Sequence, residues 1–366
     1  MLNTGALSGI KVLDLSRLLP GPFCSMILAD HGAEVVSVED EKFKAEGVFL
    51  NGINRNKRHM ALDLKSDQGR GVFLKLAKDA DVILEGFRPG VVKRLGVDYE
   101  TIQKLNPGII YCSITGYGQT GPLRDRPGHD ANYLATSGIL DLIGQADAPP
   151  SIPGVQFADI AGGAMNAAMG ILMALFERTK SGQGQYIDIS MTDGMLGFLH
   201  LPLFFSGLTG KMPKRSNTLL SHRYACYNTY GTADNRYITI GAVEHGFWKR
   251  LCECLDLPDY VPLQYDEARR EEIINTLTGI FKERTVDEWD REFRDVDVCY
   301  AKIQDLPEVM ADPLFKEREM VVDLTREDGT TVKVIGIPVK LSRTPGTLSP
   351  PPEQLEETTD YNWGQA

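Results

Sequence analysis

The 366-residue chain lacks the features that mark several large classes of protein. Its formal net charge of −11 disfavours nucleic acid as a partner. Its apolar runs are expected to fall short of the roughly 20 residues that a membrane span needs. The chain starts Met-Leu-Asn-Thr-Gly-Ala-Leu-Ser-Gly, without the basic and apolar regions of a signal peptide. We therefore expect a cytoplasmic protein with no membrane partner.

Cysteine and histidine are scarce, with six residues of each, and both are dispersed along the chain. Cys252 and Cys254 form a lone Cys-x-Cys, and no second cluster of Cys and His completes a zinc site. Scattered cysteines in a large cytosolic chain are expected to be reduced. The sequence therefore predicts neither a disulfide framework nor a metal site.

Glycine motifs that hold nucleotides are also missing, because no Gly-x-Gly-x-x-Gly follows the first predicted strand and no Walker loop occurs. Residues 55–94 instead hold ten Lys and Arg against five Asp and Glu. Some of these cations fit a solvated helix face. Others are placed at turns or strand ends, where they suit a polyphosphate, coenzyme A being a natural candidate: Arg55, Lys57, Arg58, Lys65, Arg88 and Arg94.

Short apolar runs alternate with helical patterns over the first 120 residues, and a further apolar run follows at 187–189. This pattern predicts an α/β fold with a doubly wound, mostly parallel sheet. Ser66 is a predicted helix N-cap, Thr285 to Glu288 a capping box, and Asp159 to Lys180 a long helix. We predict a large domain over 1–200, completed by 320–366. A connecting segment over 201–235 and a smaller α/β domain over 236–319 complete the division.

His129 and Asp159 are the strongest catalytic candidates, in the segments Arg-Pro-Gly-His-Asp-Ala-Asn-Tyr and Gly-Val-Gln-Phe-Ala-Asp-Ile-Ala-Gly-Gly. Two proton-transfer groups on separate loops can flank an acidic carbon, one removing a proton and the other returning one. Asp159 alone is equally suited to act as a carboxylate nucleophile. Alternatively, both residues have structural roles only, His129 as a local turn residue and Asp159 as a helix N-cap.

Several longer motifs together resemble the class III CoA-transferase family, which includes the α-methylacyl-CoA racemases. They are Leu-Ser-Gly-Ile-Lys-Val-Leu-Asp-Leu (7–15), Asn-Arg-Asn-Lys-Arg (54–58), Leu-Asp-Leu-Lys (62–65), Gly-Phe-Arg-Pro-Gly (86–90) and Thr-Gly-Tyr-Gly-Gln-Thr-Gly-Pro (115–122). The resemblance implies a large Rossmann-like domain, a smaller α/β domain and an interlocked homodimer. It implies no prosthetic group, since coenzyme A enters as part of the acyl-CoA substrate.

The resemblance also assigns residues. The implied coenzyme A contacts are Leu19, Pro20, Arg58, Leu62, Lys65, Gly86, Phe87, Arg88 and Arg94. Asp40 stands where many members have an adenine-stacking Arg, so the adenine is expected either to contact Lys42 to Lys44 instead or to bind more weakly. Substrate-pocket candidates are Tyr117, Gln119, Asp130, Tyr133, Val155 and Gln156.

Within the family, the set of His129, Asp159 and Glu244 is closest to the racemase branch, in which a Glu of the small domain holds the His. The expected reaction is proton transfer at the α-carbon of a 2-methyl-branched or related acyl-CoA. Backbone amides near Gly162 and Gly163 are expected to hold the enolate. Val155 replaces the Asn that racemases usually carry. This leaves a CoA-transferase open, in which Asp159 forms an aspartyl anhydride.

Overall fold

The computed structural model describes residues 5–40, 51–326, 328–350 and 361–364. The chain divides into two compact units, the first formed by residues 1–139, 153–198 and 312–366 and the second by 140–152 and 199–311. Residues 140–152, predicted within the large domain, thus belong to the second unit. The expected adenine contacts Lys42 to Lys44 lie outside the described residues.

A six-stranded sheet with the order β3-β2-β1-β4-β5-β6 forms the centre of the first unit, and every neighbouring pair is parallel. Most strand residues are buried, as expected when helices cover both faces of a parallel sheet. The order reverses between β1 and β4, where such sheets bind ligands. The strands are β1 Lys11–Asp14, β2 Glu34–Glu39, β3 Lys57–Ala61, β4 Val82–Glu85, β5 Ile110–Thr115 and β6 Tyr186–Ser190.

Helices cover this sheet, and a two-stranded antiparallel hairpin of β10 and β11 belongs to the same unit. Ser66 caps its helix as predicted, because its hydroxyl accepts the Gly69 N–H at 3.0 Å. The elements are α1 Pro20–Asp30, α2 Asp67–Ala77, α3 Val91–Leu95, α4 Tyr99–Leu105, α5 Asp130–Thr136, α6 Ala158–Ser181, α7 Met191–Leu196, α13 Pro313–Glu317, β10 Val321–Thr325 and β11 Thr331–Ile335.

Helix α6 begins at Ala158 and is π-helical as far as Met165. By length and composition it is apolar enough to cross a membrane. An 18-residue stretch of the helix has a mean hydropathy of 1.4, and 44% of that stretch is buried. The expectation that no run reaches this length was therefore wrong. Core helices of soluble proteins pass the same test, so a cytoplasmic location without a membrane partner stays a prediction.

The second unit contains an antiparallel sheet of the order β7-β8-β9 and a core rich in aromatic side chains, with Trp248, Phe281 and Trp289 buried. Thr285 and Glu288 form the predicted capping box, with the Thr285 N–H donating to Oε2 at 2.8 Å. Its elements are α8 His200–Thr209, β7 Tyr227–Gly231, β8 Tyr237–Gly241, α9 His245–Cys254, α10 Arg270–Phe281, α11 Val286–Phe293, β9 Tyr300–Lys302 and α12 Leu306–Ala311.

The connecting segment predicted over 201–235 differs from the structure. Strand β7 lies within it and pairs in antiparallel register with β8, Tyr227 opposite Gly241 and Gly231 opposite Tyr237. Helix α8 fills the start of the same segment. These residues are therefore part of the second unit.

Candidate active site

A cavity of about 470 Å³ opens beyond the carboxyl ends of β1, β4 and β5. Its wall includes Ser16 after β1, Gly86 after β4 and Gly116 after β5, together with His129 and Asp159. This is the edge of a parallel sheet at which ligands are expected. The structure thus brings the two catalytic candidates to one cavity.

Asp159 lies in the first turn of α6, and its backbone N–H donates to Oδ1 of Asp130 at 3.0 Å. Burial and, as the smaller cause, the nearby Asp130 raise the pKa of the Asp159 carboxyl to about 6, against the opposing effect of His129. Both protonated and ionised forms are accessible near neutral pH. Such a carboxyl is suited to exchange a proton with a substrate.

His129 is the N-cap residue of α5. Its backbone N–H donates to Oδ1 of Asn132 at 3.0 Å, and its carbonyl accepts the N–H of the same residue at 2.8 Å. The exposed imidazole lines the cavity together with Asp159. The Asn132 side chain accepts from the His129 backbone, which fixes the first turn of α5 beside the cavity.

Gly162 and Gly163 have a packing role that differs from the expected one. A Cβ on Gly162 would lie 2.5 Å from the carbonyl oxygen of Met191, and one on Gly163 would lie 2.9 Å from its Cγ. Both glycines are buried inside the π-helical turns, beyond the first turn of α6. Both glycines therefore allow close approach of α7, and the use of amides near them to hold an enolate stays a prediction.

Tyr133 forms part of the cavity wall and is fixed from several sides. Its hydroxyl donates to the Gly128 carbonyl at 2.5 Å, and its ring meets Tyr117 edge-on with centroids 5.2 Å apart. A Cβ on Gly116 or Gly128 would lie 2.3 or 2.7 Å from Cε1 of Tyr133. Glycine at these positions therefore makes room for a cavity-lining aromatic ring.

The remaining pocket candidates lie outside the lining of this cavity. Asp130 is buried behind it and acts on Asp159. The Gln119 N–H donates to the carboxylate of Asp188, at 3.0 and 3.2 Å, which anchors its loop. Val155 and Gln156 are exposed ahead of α6. Their contact with substrate stays a prediction.

Glu244 belongs to the second unit, where it follows β8 and is the N-cap residue of α9. Its carbonyl accepts the N–H groups of Phe247 and Trp248 at 3.0 and 3.1 Å. The carboxylate is therefore presented at the start of a helix whose backbone is already capped. Its predicted role beside His129 stays a prediction.

A smaller cavity of about 190 Å³ is lined by Asp40, Leu62, Lys65 and neighbours, and it shares Arg17 and Phe87 with the larger one. The predicted coenzyme A contacts are distributed over both: Leu62, Lys65 and Phe87 in the smaller, and Pro20, Gly86, Phe87 and Arg88 in the larger. The lining of neither includes Leu19, Arg58 or Arg94, and the Arg58 guanidinium lies 5.6 Å from the ring of Tyr361.

Two cations of the basic segment are structural rather than ligand-facing. Arg55 pairs with Asp30 at 2.6 Å, both side chains 4% exposed. Lys57 is fully buried, and its Nζ donates to the Pro22 carbonyl at 2.7 Å. Burial lowers the pKa of Lys57 to about 8, against the opposing effect of Asp14. The prediction that Arg55 and Lys57 bind a polyphosphate was therefore wrong, because both side chains are buried in contacts with α1.

Sequence reasoning missed Arg17, Arg124 and Arg126, which all line the larger cavity. Arg17 follows the first strand, so its position at a strand end was an available signal. Arg124 and Arg126 come shortly before His129 and lie outside the basic segment 55–94.

Glu85, at the end of β4, positions the loop that carries Phe87 and Arg88. Its Oε2 accepts the Phe87 N–H at 2.7 Å. Burial raises the pKa of the Glu85 carboxyl to about 7, while hydrogen bonds from Ser113 and the Phe87 backbone oppose the rise. A buried acceptor thus fixes a loop that contributes to both cavities.

The comparisons with known proteins agree with this architecture. CoA-transferase family III matches residues 7–359. Alpha-methylacyl-CoA racemase of Homo sapiens is 37% identical over 331 residues, spanning 88% of this chain and 84% of that protein. Succinyl-CoA:mesaconate CoA-transferase of Haloarcula hispanica is 32% identical over 377 residues, spanning 94% and 93%. A crystal structure of a CAIB/BAIF family protein from Brucella suis superimposes with a TM-score of 0.83, at 31% identity and coverage of 96% and 97%.

The chain belongs to CoA-transferase family III. Its relatives are enzymes of two kinds, racemases and CoA-transferases.

Proposed function

We propose that the protein is an acyl-CoA racemase, acting on the α-carbon of a 2-methyl-branched or related acyl-CoA. The observation that carries this proposal is that His129 and Asp159 line one cavity from two separate helices. The raised pKa of Asp159, about 6, supports a role in proton exchange. The sequence identity of 37% to the human racemase, over 88% of the chain, supports it as well.

In the proposed reaction, ionised Asp159 removes the α-proton from one face of the thioester. The C–H electron pair moves into the thioester carbonyl and forms an enolate. His129, protonated, then delivers a proton to the opposite face of the same carbon, and the two groups exchange roles in the reverse direction. The acyl-CoA is itself the substrate, so no prosthetic group takes part.

We place the enolate oxygen near the start of α5 rather than near Gly162. Asp130 and Ala131 are the first residues of α5, and N–H groups of a first helical turn have no acceptor within the helix. They directly follow His129, which lines the cavity. Charge that develops on the oxygen is stabilised by such donors.

Glu244 is the proposed residue that orients the His129 ring. The occurrence of Glu244 together with His129 and Asp159, as in the racemase branch, supports this role. Coenzyme A extends from the larger cavity into the smaller one, past Arg17 and Phe87, which line both. Lys65 and Arg88 supply further positive charge along this path. Leu19, Arg58 and Arg94 remain proposed contacts that rest on the resemblance.

Solvent deuterium exchange tests the reaction. The purified protein is incubated in deuterated buffer with 2-methylacyl-CoA substrates of either configuration, and incorporation at the α-carbon is followed by mass spectrometry. The proposal predicts incorporation of one deuterium together with loss of optical purity. Absence of both across a panel of chain lengths would remove the racemase assignment.

A CoA-transferase is the second candidate, supported by the relatives with that activity and by a cavity with four arginines, Arg17, Arg88, Arg124 and Arg126. Asp159 would attack the thioester carbonyl, releasing CoA thiolate and forming an aspartyl anhydride. The thiolate would then attack the aspartyl carbonyl, freeing the first acid, and an acceptor acid would take over the CoA by the reverse steps. Hydroxylamine trapping at Asp159 in the presence of acyl-CoA would support this candidate.

We further propose a homodimer, interlocked as the family resemblance implies. The α6 side chains Met165, Met169, Leu172, Met173 and Phe176 are 42–68% exposed and recur at helical spacing, which places them on one face. A contiguous apolar face of this kind typically marks a protein interface. The proposed occupant is a second copy of the chain.

A further inference from the structure

The turn that carries Glu244 is held from both sides by one buried side chain. Gln264 is 6% exposed, and its Nε2 donates to the carbonyls of Ala242 at 3.1 Å and Val243 at 2.6 Å. Its Oε1 lies 3.3 Å from Nδ1 of His245. The nitrogen and oxygen of one amide group therefore contact the residues on both sides of Glu244 in the chain.

Tyr265 supplies a second donor to the same turn. Its hydroxyl donates to the Val243 carbonyl at 2.5 Å. Partial burial raises the pKa of the Tyr265 hydroxyl to about 12, and the nearby Cys226 thiol is a smaller cause. The hydroxyl therefore keeps its proton at neutral pH and remains a donor. The carbonyl that directly precedes Glu244 thus accepts hydrogen bonds from two side chains.

Both donors follow a 3₁₀ helix, Pro258–Leu263, which packs on α9. Trp248 of α9 is fully buried, and its indole N–H donates to the Tyr260 carbonyl at 3.0 Å. Glu244 is the N-cap residue of the same helix α9. The helix that begins at Glu244 therefore also anchors the segment whose side chains fix the turn.

The Glu244 side chain takes no part in these contacts. It is exposed, and within the part of the chain that the structure describes no hydrogen bond or ion pair holds its carboxylate. The first N–H groups of α9 are accepted by the backbone carbonyl of Glu244. A hydrogen-bonded buried network makes the segment that it holds rigid. Here that network fixes a backbone and leaves the carboxylate available to another group.

We propose that Gln264, together with Tyr265, is a positioning residue for Glu244, which fixes the turn from which the carboxylate orients the His129 ring. The inference rests on the proposed function, because it takes Glu244 as the residue that orients His129. It extends that function by naming the side chains on which this orientation depends. Since only the proton transfers of His129 need the orientation, those of Asp159 should be spared.

The test follows solvent deuterium exchange into both enantiomers of one 2-methylacyl-CoA, and the ratio of the two rate constants is the readout. His129→Ala identifies the enantiomer whose α-proton His129 removes. Gln264→Met keeps the side-chain length and removes both amide donors, and Glu244→Ala removes the carboxylate. Each should lower exchange of that enantiomer about tenfold relative to the other, as a misplaced catalytic group implies. The double variant should show no further change, because both act through one group.

The pair Tyr265→Phe and Tyr230→Phe is the matched control. The Tyr230 hydroxyl donates to the Ala225 carbonyl at 2.8 Å in the same unit, and Tyr230 is 2% exposed. Tyr265→Phe should shift the ratio in the direction of Gln264→Met, whereas Tyr230→Phe should keep it. The ratio compares two substrates of one variant, so a loss of folded protein alone does not change it.

Two outcomes overturn the inference while the role of Glu244 stands. In the first, Glu244→Ala shifts the ratio and Gln264→Met does not. In the second, Gln264→Met lowers exchange of both enantiomers equally, which would assign Gln264 to the fold alone. If neither variant shifts the ratio, the role of Glu244 fails and the inference fails with it.

Amide hydrogen exchange tests the positioning without turnover. Residues 242–248 should exchange about tenfold faster in Gln264→Met, as the loss of buried hydrogen bonds implies, and at the wild-type rate in Tyr230→Phe. If the acyl-CoA panel shows no exchange in the wild-type protein but this segment loosens in Gln264→Met, the racemase proposal fails and the positioning of Glu244 stands. If the segment keeps its protection, the inference fails whatever the reaction.

Discussion

The carboxylate of Asp130 accepts the backbone N–H of Asp159 across 3.0 Å, which ties the start of α5 to the start of α6. Since Asp130 is adjacent to His129, one buried side chain links the two catalytic candidates. Its negative charge also contributes to the raised pKa of Asp159, after burial. The contact thus positions Asp159 and tunes it.

Replacement of Asp130 by Asn should separate these two effects. The amide oxygen still accepts the Asp159 N–H, whereas the charge that raises the Asp159 pKa is lost. The acid limb of the exchange pH profile should then move below pH 6 but remain above the ordinary Asp value, because burial is the larger cause. Asp130→Ala, which also loses the hydrogen bond, should lower kcat in addition. An unchanged acid limb in Asp130→Asn would contradict the account.

Asp159→Asn should stabilise the fold while abolishing racemisation. A carboxyl whose folded pKa lies near 6 is favoured in its protonated form, so its contribution to stability falls as pH rises from the unfolded pKa of 3.8 through the folded value. At pH 8 the variant should exceed the wild-type free energy of unfolding by about 1 kcal/mol, reduced for partial solvent screening. Urea denaturation at pH 8 and at pH 3 measures the effect, which should vanish at the lower pH.

Gly116→Ala should displace the ring of Tyr133. The new Cβ would lie 2.3 Å from Cε1 of Tyr133. Tyr133 is only 6% exposed, and its hydroxyl is hydrogen-bonded to the Gly128 carbonyl. We expect a loss of stability of about 1–3 kcal/mol and a higher KM. Gly71→Ala is the control, since nothing lies within 4 Å of a Cβ there and it is inside α2. That change should stabilise the protein by about 0.5–1 kcal/mol.

Met173→Glu tests the proposed dimer. Met173 is 68% exposed on α6, and a carboxylate in an apolar interface carries a desolvation cost. Sedimentation should show a shift from dimer to monomer. Gln103→Glu, an exposed position on α4, adds the same charge elsewhere and should leave the dimer intact. A wild-type protein that sediments as a monomer would refute the dimer directly.

Local signals in the sequence were sufficient for several elements. Ser66 and Thr285 were assigned as caps because a side-chain oxygen and its N–H partner lie three residues apart in the chain. Strand β3 has no clear local signal, since Lys-Arg-His at its start looks like part of a basic segment. Its Lys57 side chain is buried through pairing with α1, a contact that no local pattern reveals.

In the candidate site, too, some residues were predictable from local sequence and others were not. His129 and Asp159 were found from their motifs, and one cavity holds both. The packing of Gly162 was not predicted, because its neighbour Met191 follows a distant strand. Arg126 lies three residues before His129 in the same motif, so its place at the cavity could have been predicted from the sequence.

The most direct test of the central claim uses single variants and both enantiomers of one 2-methylacyl-CoA in deuterated buffer. If His129 and Asp159 serve opposite faces of the α-carbon, His129→Ala retains exchange of one enantiomer and loses the other, and Asp159→Asn shows the reverse preference. Neither variant should invert configuration. Equal exchange of both enantiomers in either variant, or no exchange in the wild-type protein, would contradict a two-base racemase.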